Sequence, residues 1–333
     1  MSKRMEYLDI AKFIGIFCIY LGHFGNQAGN AYNFVFSFHV PLFFFISGCV
    51  ESLGTHTSWR QYLVKNIKGI LLPFYLFAFI SLIIRCIYTN TYNVIPDINE
   101  ILVGGIRNHY FAGSLWFLTC LFIVKIIFYI IRNMLKFKPL ILASCVTMFV
   151  VAETIITPRP IISPNMPYNI DSACYYIIFY VLGYYCFGYI RKILTWDCLK
   201  RRAICMGLGV FCLVYDVLLF TGKNILNYVK VGAPFNLLIS VLGPMITIFL
   251  VLIVSRLLED VYCFNRLGKN TLYLCGSEYI IKLLVPICFE TIGLNISLTN
   301  PISVYFYTFF LLIICEKTLV PLEKEIFKRL YIL

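Results

Sequence analysis

The sequence predicts an all-α integral membrane protein, a bundle of about ten transmembrane helices forming a single domain over residues 1–333. Three observations predict it. Hydrophobic residues make up 60% of the chain and charged ones 13%, at a mean hydropathy of +0.84, against about 25% charged in soluble domains. Apolar stretches of roughly twenty residues, the length that crosses a bilayer, recur from end to end, with no polar block large enough for a separate soluble domain. The basic residues also alternate. With the N-terminus in the cytoplasm, the cytoplasmic connections hold twenty of the 28 Lys and Arg and the outer ones four. That bias places both termini in the cytoplasm, with the chain crossing the inner (plasma) membrane many times. It also accounts for the net charge of +12 through topology and anionic membrane lipids, without a nucleic-acid partner.

The spans fall at about 8–24, 34–52, 67–87, 114–133, 139–155, 172–191, 203–221, 234–256, 270–290 and 301–320. The first follows MSKRMEYLDIAK directly, with no small-residue cleavage site, so it reads as a retained signal anchor. The second, FSFHVPLFFFISG, carries Pro41, which should distort the helix just after His39. The third has Lys65 and Lys68 at its cytoplasmic end. The fourth opens with LWFL, sets Trp116 at the outer boundary, where an aromatic belt is the ordinary role, and holds Lys125 at mid-span, facing the bundle interior. The connections 88–113 and 154–171 are the longest outside, and the second, TPRPIISPNMPYN, should be extended and irregular. Pro244 falls in the eighth span, Glu278, Lys282 and Pro286 in the ninth. The fourteen cysteines are scattered without a C-x-x-C pair, so neither a disulfide framework nor a metal site is expected.

The ionisable residues within the spans carry the chemistry, because a charge at mid-bilayer costs at least about 2.5–3.5 kcal/mol and asks for a partner or a wet cavity. Asp9 and Lys12, three apart, can pair near the cytoplasmic surface. Lys12 and His23 are eleven residues apart; at about 100° per residue they share one helical face, about 16 Å apart along the axis. The second span brings His39 in from the side where His23 leaves the membrane, with Ser37 and Ser47 nearby. A neutral imidazole can accept a hydroxyl proton near pH 7. Each residue also has a plainer reading: a snorkelling lysine for Lys12, a helix-bridging histidine for His23, local packing for His39. Glu278 and Lys282, four apart, can pair on one face, and such a pair is more often structural than catalytic.

These residues resemble a known family. Lys12-x₁₀-His23 looks like the basic-residue-x₁₀-His signature of the membrane acyltransferase-3 family, and within it the chain most resembles the fucose-4-O-acetylase-like branch. The resemblance continues through SFHVPLFFFISG, KNIKGILLPFY and LWFL, and more loosely through LGKNTLYL. It implies transfer of an acetyl group from cytosolic acetyl-CoA to a hydroxyl of a sugar or cell-surface glycan, often a lipid-linked one, with His23 as general base and His39 in support. It also implies that Lys12, Lys65 and Lys68 meet the phosphates of CoA, Lys65-x-x-Lys68 standing where relatives carry an Arg-x-x-Arg-like pair. Many relatives end the segment after LGKNTLYL in a histidine, whereas this chain reads CGSEYIIK, making Glu278 a candidate to orient the acceptor or an imidazole. Trp116, as a stacking platform, and Asp9 are the substrate-side candidates. A secondary transporter or flippase for a glycolipid or small solute is the alternative, with Pro73, Pro244 and Pro286 as helix breakers; the chain lacks the internal repeats such proteins commonly show.

Overall fold

The structure, a computed structural model, describes residues 5–54, 58–107, 111–156, 159–195, 199–223 and 233–330. Among the described residues there are helices and connections and no strand. In order the helices are α1 (Glu6–Gly22), α2 (Asn30–Ser52), α3 (Trp59–Asn66), α4 (Leu72–Thr89), α5 (Ile95–Leu102), α6 (Trp116–Leu135), α7 (Lys138–Thr154), α8 (Ile170–Leu194), α9 (Leu199–Phe220), α10 (Ala233–Leu257), α11 (Tyr262–Lys269), α12 (Thr271–Gly276), α13 (Glu278–Thr291) and α14 (Pro301–Arg329). Seven stretches among the described residues are long and apolar enough to cross a membrane: Asn30–Ser52, Trp59–Thr89, Gly113–Leu135, Pro167–Leu194, Leu199–Phe220, Phe235–Leu257 and Pro301–Arg329. The chain is an all-α integral membrane protein. The other three expected spans are helical over 17 residues (α1), 17 residues (α7) and, in two pieces, 6 and 14 residues (α12, α13), so α1 and α7 sit at the lower end of the range of about 17–25 residues that crosses a bilayer.

Three elements depart from the hydropathy reading. The third span starts eight residues early, because Ser58 and Gln61 form a reciprocal capping box ahead of a polar first turn. A π-helical turn, Ile67–Leu71, then joins α3 to α4. The outer connection 88–113 contains a short helix, α5. The expected ninth span is not one helix, since Ser277 leaves helical geometry between α12 and α13 at φ −93°, ψ 0°. Pro41, by contrast, is carried inside an unbroken α2.

The chain divides into two compact units. The first comprises residues 1–54, 179–271 and 298–312. Here the helices approach through glycine, as they must where lipid gives apolar side chains no reason to leave it and association rests on close packing. A Cβ on Gly268 would lie 1.8 Å from the Asp9 carbonyl oxygen, one on Gly48 2.0 Å from that of Tyr180, and one on Gly183 2.0 Å from that of Phe45. Gly15 lies under the Phe43 ring. Phe13 stacks on Phe264 with ring centroids 4.6 Å apart, which adds an aromatic pair to the α1–α11 contact.

The second unit comprises residues 55–178, 272–297 and 313–333. Its core gathers Phe74, Phe77, Leu115 and Phe327, all essentially fully buried. Tyr62 stacks on Tyr129 at 4.3 Å and its hydroxyl donates to the Lys125 carbonyl at 3.3 Å. The two long connections are tied by polar side chains. Arg107 donates to the Pro160 carbonyl at 2.8 Å, to that of Ile161 and to the Tyr176 hydroxyl at 3.3 Å. The Asn169 amide donates to the Gly105 carbonyl and to Thr119 Oγ1, both at 3.1 Å. The second connection is irregular, as its prolines imply. Tyr168 and Asn169 both take φ 55°.

Candidate functional site

The candidate residues fall in both units, and each group is built by its own helices. In the first unit α1 is regular from Glu6 to Gly22, and the N–H of His23, the residue that ends it, donates to the Ile19 carbonyl at 3.2 Å. The expected common face of Lys12 and His23 therefore follows from the helix itself. Ile16 and Ile19, which lie between them on that face, are 0% and 7% exposed, so the face is packed. Asp9 is buried and its Oδ1 lies 3.1 Å from Lys12 Nζ, as the spacing predicts. Lys12 is half-buried, and His23 emerges at the exposed end of the helix.

His39 is buried on α2, one turn beyond Val35. Its Nδ1–H donates to the Val35 carbonyl at 2.5 Å. In the neutral ring that bond places the lone pair on Nε2, the tautomer and orientation a general base needs. The Phe36 ring stands edge-on to the imidazole at 5.1 Å. The same ring lies 3.0 Å from where a Cβ of Gly22 would be. One phenyl group thus joins the backbone before His23 to the ring of His39.

A cavity of about 400 Å³ borders α1, but on its other side. It is lined there by Ile14, Phe17, Cys18 and Leu21, whose mean direction is about 180° from that of Lys12 and His23. Any passage along the Lys12–His23 face is distinct from it. A second cavity of about 480 Å³, reached at Tyr7, Arg191 and Arg256, is bordered by Glu6, Glu259 and Asp260 as well.

In the second unit Lys65 closes α3 and Lys68 lies in the π-helical turn, and both are exposed. Such turns interrupt the regular ladder and are frequent at functional sites. Trp116 is buried, with Tyr176 at 5.9 Å and the Arg107 guanidinium 4.9 Å over its ring. That cation covers one face of the indole, which leaves it less suited to stack under a sugar than the sequence suggests. Glu278 is buried at the start of α13 and meets Lys282 Nζ at 2.7 Å. Around the break before it, the Ser277 hydroxyl donates to Glu323 Oε1, and the Ser114 hydroxyl to the Cys275 carbonyl at 3.1 Å.

Asp171, Asp216, Glu316 and Glu323 are buried acids that escape the sequence reading, and two of them matter here. Asp216 on α9 accepts from the Thr247 hydroxyl at 2.6 Å, and Glu323 accepts from Ser277. Both carboxylates keep a second buried oxygen, Asp216 Oδ2 and Glu323 Oε2, without a hydrogen-bond partner. The signal for Asp216 was present, a lone acid inside an apolar span. Among the described residues no group of three or more His, Cys, Asp or Glu side chains could hold a metal ion.

A family model described as an acyltransferase domain, that of the acyltransferase-3 family, matches residues 5–315. No curated protein and no solved structure matches the chain.

Proposed function

Because this chain belongs to the acyltransferase-3 family, and so has the character of a membrane acyltransferase, we propose that it moves an acetyl group from cytosolic acetyl-CoA to a hydroxyl of a sugar or cell-surface glycan. The observation that carries the reading is the face of α1, which holds Lys12 and His23 in line along one uninterrupted helix. In the proposed reaction the imidazole of His23 takes the proton of the acceptor hydroxyl as its oxygen attacks the thioester carbonyl. The C–S bond then breaks, and the CoA sulfur takes up a proton as it leaves. His39, held by Val35 with its lone pair on Nε2, supports this base. On the donor side the candidates fall unit by unit, Lys12 in the first and the exposed pair Lys65 and Lys68 in the second, each offering positive charge to CoA phosphates as point charges rather than bidentate forks. Lys68 lies within the π-helical turn. Within the second unit Glu278, tied to Lys282, is the candidate for contact with the acceptor. In this orientation both termini face the cytoplasm of a cell bounded by the inner membrane. Family membership favours this reading over transport.

The test uses membranes containing the full chain. Radiolabelled acetyl should pass from acetyl-CoA to a glycan fraction, and His23→Ala should lower the rate by about 10²–10⁴-fold, the share a general base supplies, with the protein still present at its normal level. Transfer that persists in His23→Ala at more than a tenth of the original rate would remove His23 from the chemistry.

A further inference from the structure

The cavity on the far side of α1 has an occupant written into its walls. It runs between α1, α2, α9 and α10, from Leu21, Phe34 and Phe220 at one end to Ile14 and Val254 at the other. Ile14 to Leu21 is seven residues of helix, about 10 Å. Its volume of about 400 Å³ is within the range of small-ligand pockets. The lining is apolar apart from Thr247, Asp216 and Tyr305, whose hydroxyl donates to the Ala28 carbonyl; Asp216, 5% exposed, accepts from Thr247 through Oδ1 and has no hydrogen-bond partner on Oδ2. A buried carboxylate oxygen without a partner has given up its water with nothing in return, so the site has a polar demand in an apolar wall.

The chemistry of the walls selects the ligand. Among the described residues the lining contains no cation, so a phosphate or carboxylate head would face Asp216 without a partner there. A hydroxyl, by contrast, is both donor and acceptor and satisfies the second oxygen whatever proton it carries. The bilayer is the source. The outward face of α9 is apolar and exposed at Val210, Leu213, Val214 and Val217, as expected of a peripheral helix against lipid. We propose that this groove binds an uncharged membrane lipid with one free hydroxyl, of the diacylglycerol class, its chain along Ile14–Leu21 and Val254 and its hydroxyl on Asp216. The site is separate from the acyl-transfer face, which lies on the opposite side of α1.

The experiment places the full chain in phosphatidylcholine nanodiscs doped with a diacylglycerol carrying a photoactivatable diazirine in one chain. Phosphatidylcholine bearing the same modified chain serves as the probe without a free hydroxyl. Crosslinks from the diacylglycerol probe should map to α1, α2 and α10 and exceed those of the control. Asp216→Leu should lower them about fivefold, the worth of one hydrogen bond, and leave the control unchanged. Leu250→Trp, which fills the groove from α10, should abolish them while labelling elsewhere persists. Equal labelling by the two probes would mean that any bilayer chain enters. That outcome, or labelling insensitive to either substitution, would overturn the proposal.

Discussion

Asp9 and Glu278 are buried acids with a lysine on their own helix, at 3.1 Å and 2.7 Å. Asp216 and Glu323 are also buried, and each has on one of its two oxygens a hydroxyl from a distant part of the chain, Thr247 of α10 and Ser277 at the break before α13. The first two solve the problem of charge in an apolar setting locally, three or four residues away, so the solution survives any rearrangement between helices. The other two depend on where neighbouring helices stand. Sequence spacing alone separates acids that are neutralised at home from acids that look outward for a partner.

The comparison breaks first at α13. Glu278→Leu takes the carboxylate from a mostly buried Lys282 and should cost about 3–5 kcal/mol, read as a large drop in the thermal midpoint of the detergent-solubilised protein. Adding Lys282→Leu should restore most of it, since apolar replacement of a buried pair is often neutral; a double variant as unstable as the single one would mean that the pair is not the local solution described. A smaller effect belongs to Ser277→Ala, which strips Glu323 of its hydroxyl and should cost about 1–3 kcal/mol by the same measurement. Smallest is Asp216→Asn. Its amide oxygen still accepts from Thr247, and the midpoint should move by no more than about 0.5 kcal/mol equivalent. A large loss there would place Asp216 among the acids neutralised at home, through a partner the geometry does not include.

Hydropathy reads helices well in this chain because a bilayer leaves the backbone no alternative. Each apolar run of the sequence has a helix over it, and local signals sharpened some ends. The Lys12–His23 face and the Asp9–Lys12 and Glu278–Lys282 pairs were legible because they depend only on the 3.6-residue repeat. What escaped depends on distant chain. At the break Ser277 meets Glu323, 46 residues away, and Gly276 lies against Phe77, whose ring occupies the space a Cβ there would need. The cover over Trp116 comes from Arg107, a loop residue with no periodic context. The early start of α3 lies in a polar turn that no apolar window detects. His39 was legible as a candidate but not its tautomer, which required seeing the Val35 carbonyl within reach.

The paired glycines of α2 and α8 also set a depth gauge. With Gly48 seated on the Tyr180 carbonyl and Gly183 on that of Phe45, neither rod can slide past the other by even one residue without driving a side chain into backbone. His39 stands nine residues up the same rod, about 13.5 Å away. Its height in the membrane is therefore metered by a contact in which it takes no part.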